Sequence, residues 1–176
     1  MPKPKLELKE ILFPTLSLFL ICFVMTGALA VVNAITKDPI AANEKLAADA
    51  ARQEIFPGAT FENHGDYFTA KDVDGDVLGY CMDTQAQGYG GVIRVAAGLD
   101  AGGGVVKVRI ISCDGETPGL GQKIREEGFL AQFAGRGDTE HYDSVASATY
   151  SSRGVADAVN QAFAIYQEQI RGGGAQ

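Results

Sequence analysis

Residues 91–112 read GVIRVAAGLDAGGGVVKVRIIS, and this stretch decides the fold class. Its two ends, 91–99 and 104–112, are short and rich in β-branched residues, and the segment DAGGG at 100–104 separates them. This pattern predicts two antiparallel strands joined by a hairpin turn, not a phosphate-binding loop. Similar segments at 59–63, 66–72 and 76–85 come earlier, separated by Gly or Asp-Gly signals. We therefore predict a meander of five short strands.

Helical patterns lie on both sides of the predicted strands. AANEKLAADAARQEIFPG predicts a helix over about 41–56, with Leu46, Ala50 and Ile55 facing a core. A short helix is expected over about 124–134. The last helix, about 152–170, has one apolar face formed by Val155, Ala158, Val159, Ala162, Tyr166 and Ile170. Because no βαβ alternation occurs, the sequence indicates an α+β fold with a small antiparallel sheet flanked by helices.

Composition and charge limit the class of protein. Of 176 residues, 46% are hydrophobic and 21% are charged, which is typical of one folded domain with a real core. The net charge is −7. Nucleic-acid binding requires clustered Lys and Arg to neutralise phosphates, and the sequence contains no such cluster. We therefore exclude a nucleic-acid partner.

The N-terminal segment predicts a membrane anchor. Residues 11–35 contain no charged side chain, and a helix of this length crosses a hydrocarbon core of about 30 Å. Lys3, Lys5 and Lys9 precede it. The positive-inside tendency then places residues 1–10 in the cytoplasm and the domain, residues 36–176, outside it, as a single-pass protein of the inner (cytoplasmic) membrane.

Two kinds of export signal compete with a retained anchor. Residues 28–30, Ala-Leu-Ala, resemble a signal-peptidase site, and the segment ending at Cys22 is a poor match to a lipoprotein signal. The apolar run continues past Ala30 to Ile35, beyond the usual length of a signal core, and this favours the anchor. All three interpretations place the domain outside the cytoplasm.

The three cysteines do not predict a metal site. Cys22, Cys81 and Cys113 form no CxxC pair, and no histidine lies at ligand spacing, so neither zinc nor an iron–sulfur cluster is expected. A Cys81–Cys113 disulfide and two unpaired thiols both remain open.

The segment DVDGDV at 72–77 invites comparison with a calcium loop. Such a loop requires glycine at its sixth position and a bidentate glutamate at its twelfth, where this chain has Val77 and Asp83. Asp74-Gly75 is typical of a hairpin turn. We therefore expect a turn here and no metal site.

A glycine- and proline-rich loop, CDGETPGLGQK at 113–123, follows the last predicted strand. Pro118 favours a turn, while Gly119 and Gly121 allow the backbone to approach a partner closely. The loop lacks the third glycine of a dinucleotide fingerprint and the Gly-Lys-Ser/Thr of a P-loop. A purely structural turn and a platform for a planar ligand beside Glu116 and Thr117 both remain possible.

The second candidate segment is DSVASATYSSRGVADAV at 143–159. Hydroxyls at Ser147, Thr149, Ser151 and Ser152 lie just before the predicted last helix. One of them is explained by a helix N-cap. The alternative is that the helix start receives a phosphate, with one hydroxyl joined to it. The residue types alone favour the cap.

A hydrolytic site is not supported by the sequence. His141, Asp143 and Ser144 are too close along the chain to be taken as a triad, which is defined by three-dimensional geometry. We therefore predict no hydrolase.

Taken together, the features resemble the FMN-binding domain of the RnfG and NqrC subunits of ion-pumping respiratory complexes. The resemblance covers nearly the whole chain and rests on the single N-terminal span, FPGATF, GYGGVIRVAAGLD at 88–100, ETPGLGQK at 116–123 and ASATYSS at 146–152. In that family a threonine in a consensus like Ser-Gly-Ala-Thr-x-Ser/Thr is linked to FMN by a phosphoester, which a flavin transferase attaches. The resemblance implies covalent FMN on Thr149. Ala146-Ser147 stand where the consensus has Ser-Gly.

The resemblance also implies which residues surround the flavin. Glu116 and Thr117 would be polar neighbours of the isoalloxazine ring, and Leu120 would pack against it. The remaining implied contacts are Gly119, Gly121, Ser147, Ala148 and Ser151, with Gly90 and Gly91 as further wall elements. The flavin would carry the electrons, and the protein would supply orientation and tuning. The resemblance therefore implies no catalytic acid, base or nucleophile in the chain itself.

The implied function is that of an electron-transfer subunit in an Rnf-type translocase, which couples ferredoxin:NAD oxidoreduction to Na⁺ or H⁺ transport. Its partners would be the other membrane subunits and the flavin transferase. The alternatives are a stand-alone extracytoplasmic flavoprotein carrier, an NqrC-like subunit of a Na⁺-translocating quinone reductase, and a domain that has lost its flavin. The compact length favours RnfG over NqrC.

Overall fold

The computed structural model describes the backbone of residues 8–172 and the side chains of residues 11–172. Its elements are α1 (Leu8–Ile55), β1 (Thr60–Asn63), β2 (Phe68–Lys71), β3 (Val77–Gln87), β4 (Val92–Leu99), β5 (Val105–Ser112), α2 (Glu127–Leu130) and α3 (Thr149–Ile165). Two 3₁₀ segments, Gly121–Arg125 and Ala131–Phe133, flank α2, and a π-helical turn, Tyr166–Arg171, extends α3. The chain divides into two compact units, the first ending at Asn43 and the second beginning at Glu44.

In the first unit, the apolar helical segment exposes its side chains. Residues 11–35 are exposed throughout, and the helix contains a window with a mean hydropathy of 2.4. It is long and apolar enough to cross a membrane. The apolar span at 11–35 and the helix predicted at about 41–56 are parts of one helix, α1, which is continuous through Pro39. A proline removes a single backbone donor, and the alanine-rich segment that follows favours continuation.

The sheet confirms the predicted meander. All four strand pairs are antiparallel, in the order β1-β2-β3-β4-β5, and each bound lies within two residues of the predicted one. The helix predicted at 124–134 is a series of short 3₁₀ and α turns. The last helix begins at Thr149, three residues before the predicted start, and its apolar face is confirmed except that Ile170 is only half-buried.

One face of the sheet packs against α3 and the other against the end of α1. Ile93 and Val95 of β4 share a core with Val155 and Val159 of α3. Ala96, one residue further along β4, points to the opposite face. Alternate side chains of β4 therefore pack on opposite faces of the sheet, one set against α3 and the other against the end of α1.

The orientation of α1 against the sheet differs from the prediction. Ile55 is buried as predicted, but Leu46 and Ala50 are exposed, and Ala48 and Ala51 are buried instead. In β4, a Cβ on Gly98 would stand 2.2 Å from Cγ2 of Ile55. The glycine lets the end of α1 approach the sheet closely at Ile55, and Ala48, Ala51 and Ile55 share a core there with Ala96 of the same strand.

A buried arginine also joins α1 to the sheet. The Arg52 guanidinium lies 4.0 Å from the ring centroid of Phe68 and pairs with the carboxylates of Asp49 and Asp83. Burial raises the pKa of Asp83, and the Arg52 charge opposes that rise. The stability of this side of the core thus depends on charge compensation.

All three cysteines are free thiols, which excludes the Cys81–Cys113 disulfide. Both of these residues are completely buried. Burial, with a smaller contribution from Asp83, raises the pKa of the Cys81 thiol to about 12.

We expect Cys81 and Cys113 to resist alkylation in the folded chain. At pH 8 almost no Cys81 is thiolate, and neither sulfur is reachable. In a Cys22→Ala background, iodoacetamide should add no mass to the native protein and two labels after unfolding in guanidinium. Rapid labelling of either thiol in the native state would contradict the buried placement.

The DVDGDV segment forms the expected turn. The Asp72 carboxylate accepts hydrogen bonds from the backbone amides of Asp74 and Asp76, both at 2.9 Å, and so points into its own turn. Within residues 8–172, no group of His, Cys, Asp and Glu side chains is arranged to hold a metal ion.

Candidate functional site

The hydroxyl-rich segment lies in the first turn of α3, not before it. The N-cap residue is Ala148, which has no hydroxyl, so the N-cap interpretation of the serines and threonine is wrong. Ser152 Oγ donates to Ala148 O and accepts from Val145 N, both at 3.0 Å, while Ser151 Oγ donates to Glu116. Ser151 and Ser152 are buried, whereas Ser147 and Thr149 are exposed. The four hydroxyls are thus in two different environments.

The chain enters α3 through a tight turn. The amide of Ala148 donates to Val145 O at 3.0 Å, and Ser147, at the third position of this turn, has a φ of 63°. Among residues 8–172 it is the only non-glycine residue with positive φ. A turn with positive φ at this position favours glycine, which is the residue of the family consensus.

We expect Ser147→Gly to stabilise the domain. The left-handed conformation costs a residue with a side chain about 1–2 kcal/mol, and glycine removes this cost. Glycine also increases the entropy of the unfolded chain, which offsets about 0.5–1 kcal/mol of the stabilisation. The net gain in the free energy of unfolding is therefore about 0.5–1 kcal/mol, measurable by denaturant titration.

The matched control is Ala146→Gly, one residue earlier, where φ is not positive. It adds chain entropy without relieving strain, so it should destabilise the domain. Equal effects of the two substitutions would show that the conformation of Ser147 is not strained.

The loop after β5 contains the predicted turn. Leu120 N donates to Thr117 O at 3.2 Å, with Pro118 second and Gly119 third in the turn, and Gly119 has a φ of 76°. This arrangement, with Pro at the second position and a positive φ at the third, is a type II turn. A Cβ on Gly119 would meet no other atom within 4 Å. Gly119 is therefore required by its backbone conformation, and its surface is open to a ligand.

Glu116 connects the three segments that form the site. Its side chain is buried, with Oε1 accepting from Gly90 N at 3.0 Å and Oε2 accepting from Ser151 Oγ. A Cβ on Gly121 would lie 2.6 Å from Oε2, and one on Gly88 would lie 2.3 Å from Oε1. The glycines therefore make room for the carboxyl group, and its hydrogen bonds join the β3–β4 turn, the loop after β5 and α3.

A cleft of about 380 Å³ opens where these segments meet. Its lining comprises Tyr89, Glu116, Thr117, Leu120, Gly121, Ser147, Ala148, Thr149, Tyr150 and Ser151. The structure thus brings together all of the predicted site residues except Gly119 and the wall elements Gly90 and Gly91. Two lining residues, Tyr89 and Tyr150, were missed, although each lies inside a segment that the sequence singled out, GYGG and ASATYSS.

Gly90 and Gly91 lie behind the cleft. A Cβ on Gly90 would stand 1.9 Å from the backbone oxygen of Gly115, and one on Gly91 would stand 3.4 Å from the Gly115 Cα. Their role in the structure is to let the β3–β4 turn pack against the segment before Glu116. The expectation that they form a wall of the cleft is not met by its lining.

The cleft has the character of a binding site for an organic anion. Its volume is within the usual range for small-molecule sites. The first amides of α3 have no acceptor within the helix, and the helix dipole favours negative charge there. Leu120, Tyr89 and Tyr150 provide apolar surface. His141, Asp143 and Ser144 are exposed and do not line the cleft, so they form no catalytic arrangement with it.

Comparison with protein families identifies two regions of this chain. Residues 88–164 match the model of an FMN-binding domain, and residues 5–55 match that of the RnfG N-terminal region. The first match includes every residue that lines the cleft.

Similar proteins include the G subunit of the ion-translocating oxidoreductase complex of Escherichia coli (strain K12), 29% identical over 169 residues that cover 78% of this chain and 82% of the relative. The corresponding protein of Haemophilus influenzae (strain KW20) is 37% identical over 107 residues, covering 52% and 50% of the two chains.

Among solved structures, NqrC of Shewanella oneidensis is similar with a TM-score of 0.49 and 19% identity, over 62% of this chain and 66% of that one. The two family regions occur in one chain that aligns with most of the length of its E. coli relative, and the cleft lies within the FMN-binding region. The chain belongs to the family of RnfG-type subunits that carry an FMN-binding domain.

Proposed function

We propose that the protein is an electron-transfer flavoprotein subunit of an ion-translocating oxidoreductase complex in the membrane, with FMN joined to Thr149 by a phosphoester. The observation that carries the proposal is the position of Thr149. Its side chain is exposed on the first residue of α3, and it lines the cleft.

The environments of the neighbouring hydroxyls favour Thr149 as the attachment point. Ser151 and Ser152 are buried and hydrogen-bonded, so neither is accessible to a modifying enzyme. Ser147 is exposed but lies in the turn before the helix. Thr149 combines exposure with a position in the first turn of α3, next to the unpaired amides.

The helix start also suits the charge of the linkage. A phosphodiester retains one negative charge, and the N-terminal end of a helix stabilises such a charge by about 0.3–1 kcal/mol. α3 is 17 residues long, so its dipole is well developed at this end. Thr149 would hold the phosphate, and the α3 amides would orient it.

The rest of the cleft suits a flat ring system. Leu120 provides an apolar side chain, and Thr117 and Glu116 provide polar groups. FMN accepts and donates electrons when bound, and the chain needs to supply only binding and orientation.

For the complex, we propose an Rnf-type assembly that couples electron flow between ferredoxin and NAD to Na⁺ or H⁺ transport. The support is the similarity to relatives that are named as subunits of an ion-translocating oxidoreductase complex. The helix of residues 11–35 would anchor the chain, with residues 1–10 in the cytoplasm and the flavin domain outside. Purification of the tagged chain from mild detergent should retain the multi-span partner subunits.

The attachment is tested by expressing the full chain with and without a flavin transferase. With the transferase, a denaturing gel should show a fluorescent band, and the intact mass should increase by one FMN minus one water. Without it, neither signal should appear. A wild-type chain that stays dark and unmodified beside an active transferase would refute covalent attachment.

A further inference from the structure

Two exposed tyrosines stand together at the cleft. Tyr89 is 72% exposed and Tyr150 is 70% exposed, and their ring centroids are 6.4 Å apart with an interplanar angle of 44°. They come from segments 61 positions apart in the sequence, and both line the cleft. Neither tyrosine is among the residues implied to contact FMN, although each lies inside a segment that carries the resemblance, GYGG and ASATYSS. Aromatic side chains this exposed, gathered at a binding cleft, favour a ligand that covers them.

The backbone that carries Tyr89 is fixed. Gly88 N donates to Gly91 O at 2.8 Å, and Gly90 N donates to the buried Glu116 carboxyl. A Cβ on Gly90 would collide with the backbone of Gly115, so the turn packs directly against the backbone of the segment before Glu116. The exposure of Tyr89 is therefore set by a rigid turn.

The position of Tyr150 points to the occupant. Tyr150 immediately follows Thr149 in the first turn of α3, so a group joined to Thr149 is tethered next to this ring. Two aromatic planes that enclose a third need about 7–8 Å between them, because carbon atoms pack about 3.5–4.0 Å apart. The observed 6.4 Å is shorter, which favours packing of a ligand against the pair as one wall rather than insertion between the rings.

Resting on the proposed function, we infer that Tyr89 and Tyr150 form the aromatic wall against which the isoalloxazine ring of the attached FMN packs. They are positioning residues that bind and orient the flavin. Offset or tilted aromatic contacts of this kind favour such packing beyond what the buried area alone provides. A tyrosine phenol in contact with a flavin also quenches its fluorescence reversibly, since the phenol loses one electron to the excited ring and regains it.

The test uses the full flavin-loaded chain in detergent, with Tyr89 and Tyr150 replaced singly and together by Phe and by Leu. The covalent flavin is first counted after denaturation, so that native fluorescence is expressed per attached flavin. Tyr142→Phe is the matched control, because Tyr142 packs near Phe133 and does not line the cleft.

We expect the Tyr89→Phe/Tyr150→Phe double variant to be severalfold brighter than the wild type in the native state and equally bright when unfolded. The double leucine variant should also show lower flavin anisotropy, because the packing surface is lost as well. Tyr142→Phe should match the wild type. In the chain without flavin, Tyr89→Leu should leave the melting temperature unchanged. In the flavin-loaded chain, the same substitution should lower the melting temperature.

Native fluorescence and anisotropy of the double variants equal to those of the wild type, with full flavin content, would overturn the aromatic wall alone. Absence of covalent flavin from the wild type would overturn the proposed function and this inference with it.

Discussion

Thr149→Val is expected to abolish covalent flavin completely. Valine has the shape of threonine without the hydroxyl, so no phosphoester can form at residue 149. The in-gel fluorescence and the added mass of FMN minus water should both disappear. Because Thr149 is exposed, the free energy of unfolding should change by no more than about 0.5 kcal/mol.

Two matched variants test whether the loss of flavin is caused by the missing hydroxyl of Thr149 or by a change in the local structure. Thr149→Ser keeps a hydroxyl at the same position and should retain some flavin. Ser147→Ala removes the other exposed hydroxyl of the segment and should retain it fully. Fluorescence that persists in Thr149→Val but is lost in Ser147→Ala would move the linkage to Ser147 and contradict the proposal.

The second large effect is expected on stability. Arg52→Met keeps an apolar side chain over Phe68 but removes the charge that compensates Asp83. Removal of one partner of a buried ion pair costs about 3–5 kcal/mol, and since Asp83 is partly exposed we expect about 3 kcal/mol at pH 7. Denaturant titration of the full chain in detergent measures this loss.

The loss should depend on pH in a defined direction. Burial raises the folded-state pKa of Asp83, and Arg52 lowers it, so removing Arg52 raises it further. Above the ordinary aspartate pKa of about 3.9, the folded state then binds more protons than the unfolded state, and stability falls as pH increases. Arg52→Met should therefore cost less at pH 4 than at pH 7.

The double variant Arg52→Met/Asp83→Asn provides the control. It removes the uncompensated carboxylate, so it should recover part of the stability at pH 7 and show little pH dependence from this site. A loss of stability in Arg52→Met that is the same at pH 4 and pH 7 would mean that Asp83 does not carry the effect.

The sequence predicted the helices and strands well because the residue types of neighbouring positions largely determine where these elements form. Alternation of β-branched residues between Gly and Asp-Gly turns located all five strands to within two residues. The periodic apolar face of α3 was correct for the same reason. For α1, Ile55 is buried as predicted but Leu46 and Ala50 are exposed, because the face that packs is chosen by a sheet formed later in the chain.

The site shows the same division. The segments ETPGLG and ASATYSS are visible in the sequence, as are the turn at Pro118-Gly119 and the family to which they point. The role of each hydroxyl is not visible. Whether Ser151 is free depends on the Glu116 carboxyl 35 positions away, and whether a hydroxyl caps α3 depends on the residue at which the helix begins.

The sequence by itself therefore determined the strand order, the apolar anchor segment and the two motifs, because each is encoded in neighbouring residues. Only the tertiary structure decided that Cys81 and Cys113 are separate buried thiols, that Ser147 adopts a conformation suited to glycine, and that Tyr89 meets Tyr150 at one cleft. These properties arise from packing between distant segments, and the spacing of residues along a chain does not specify which distant segments will touch.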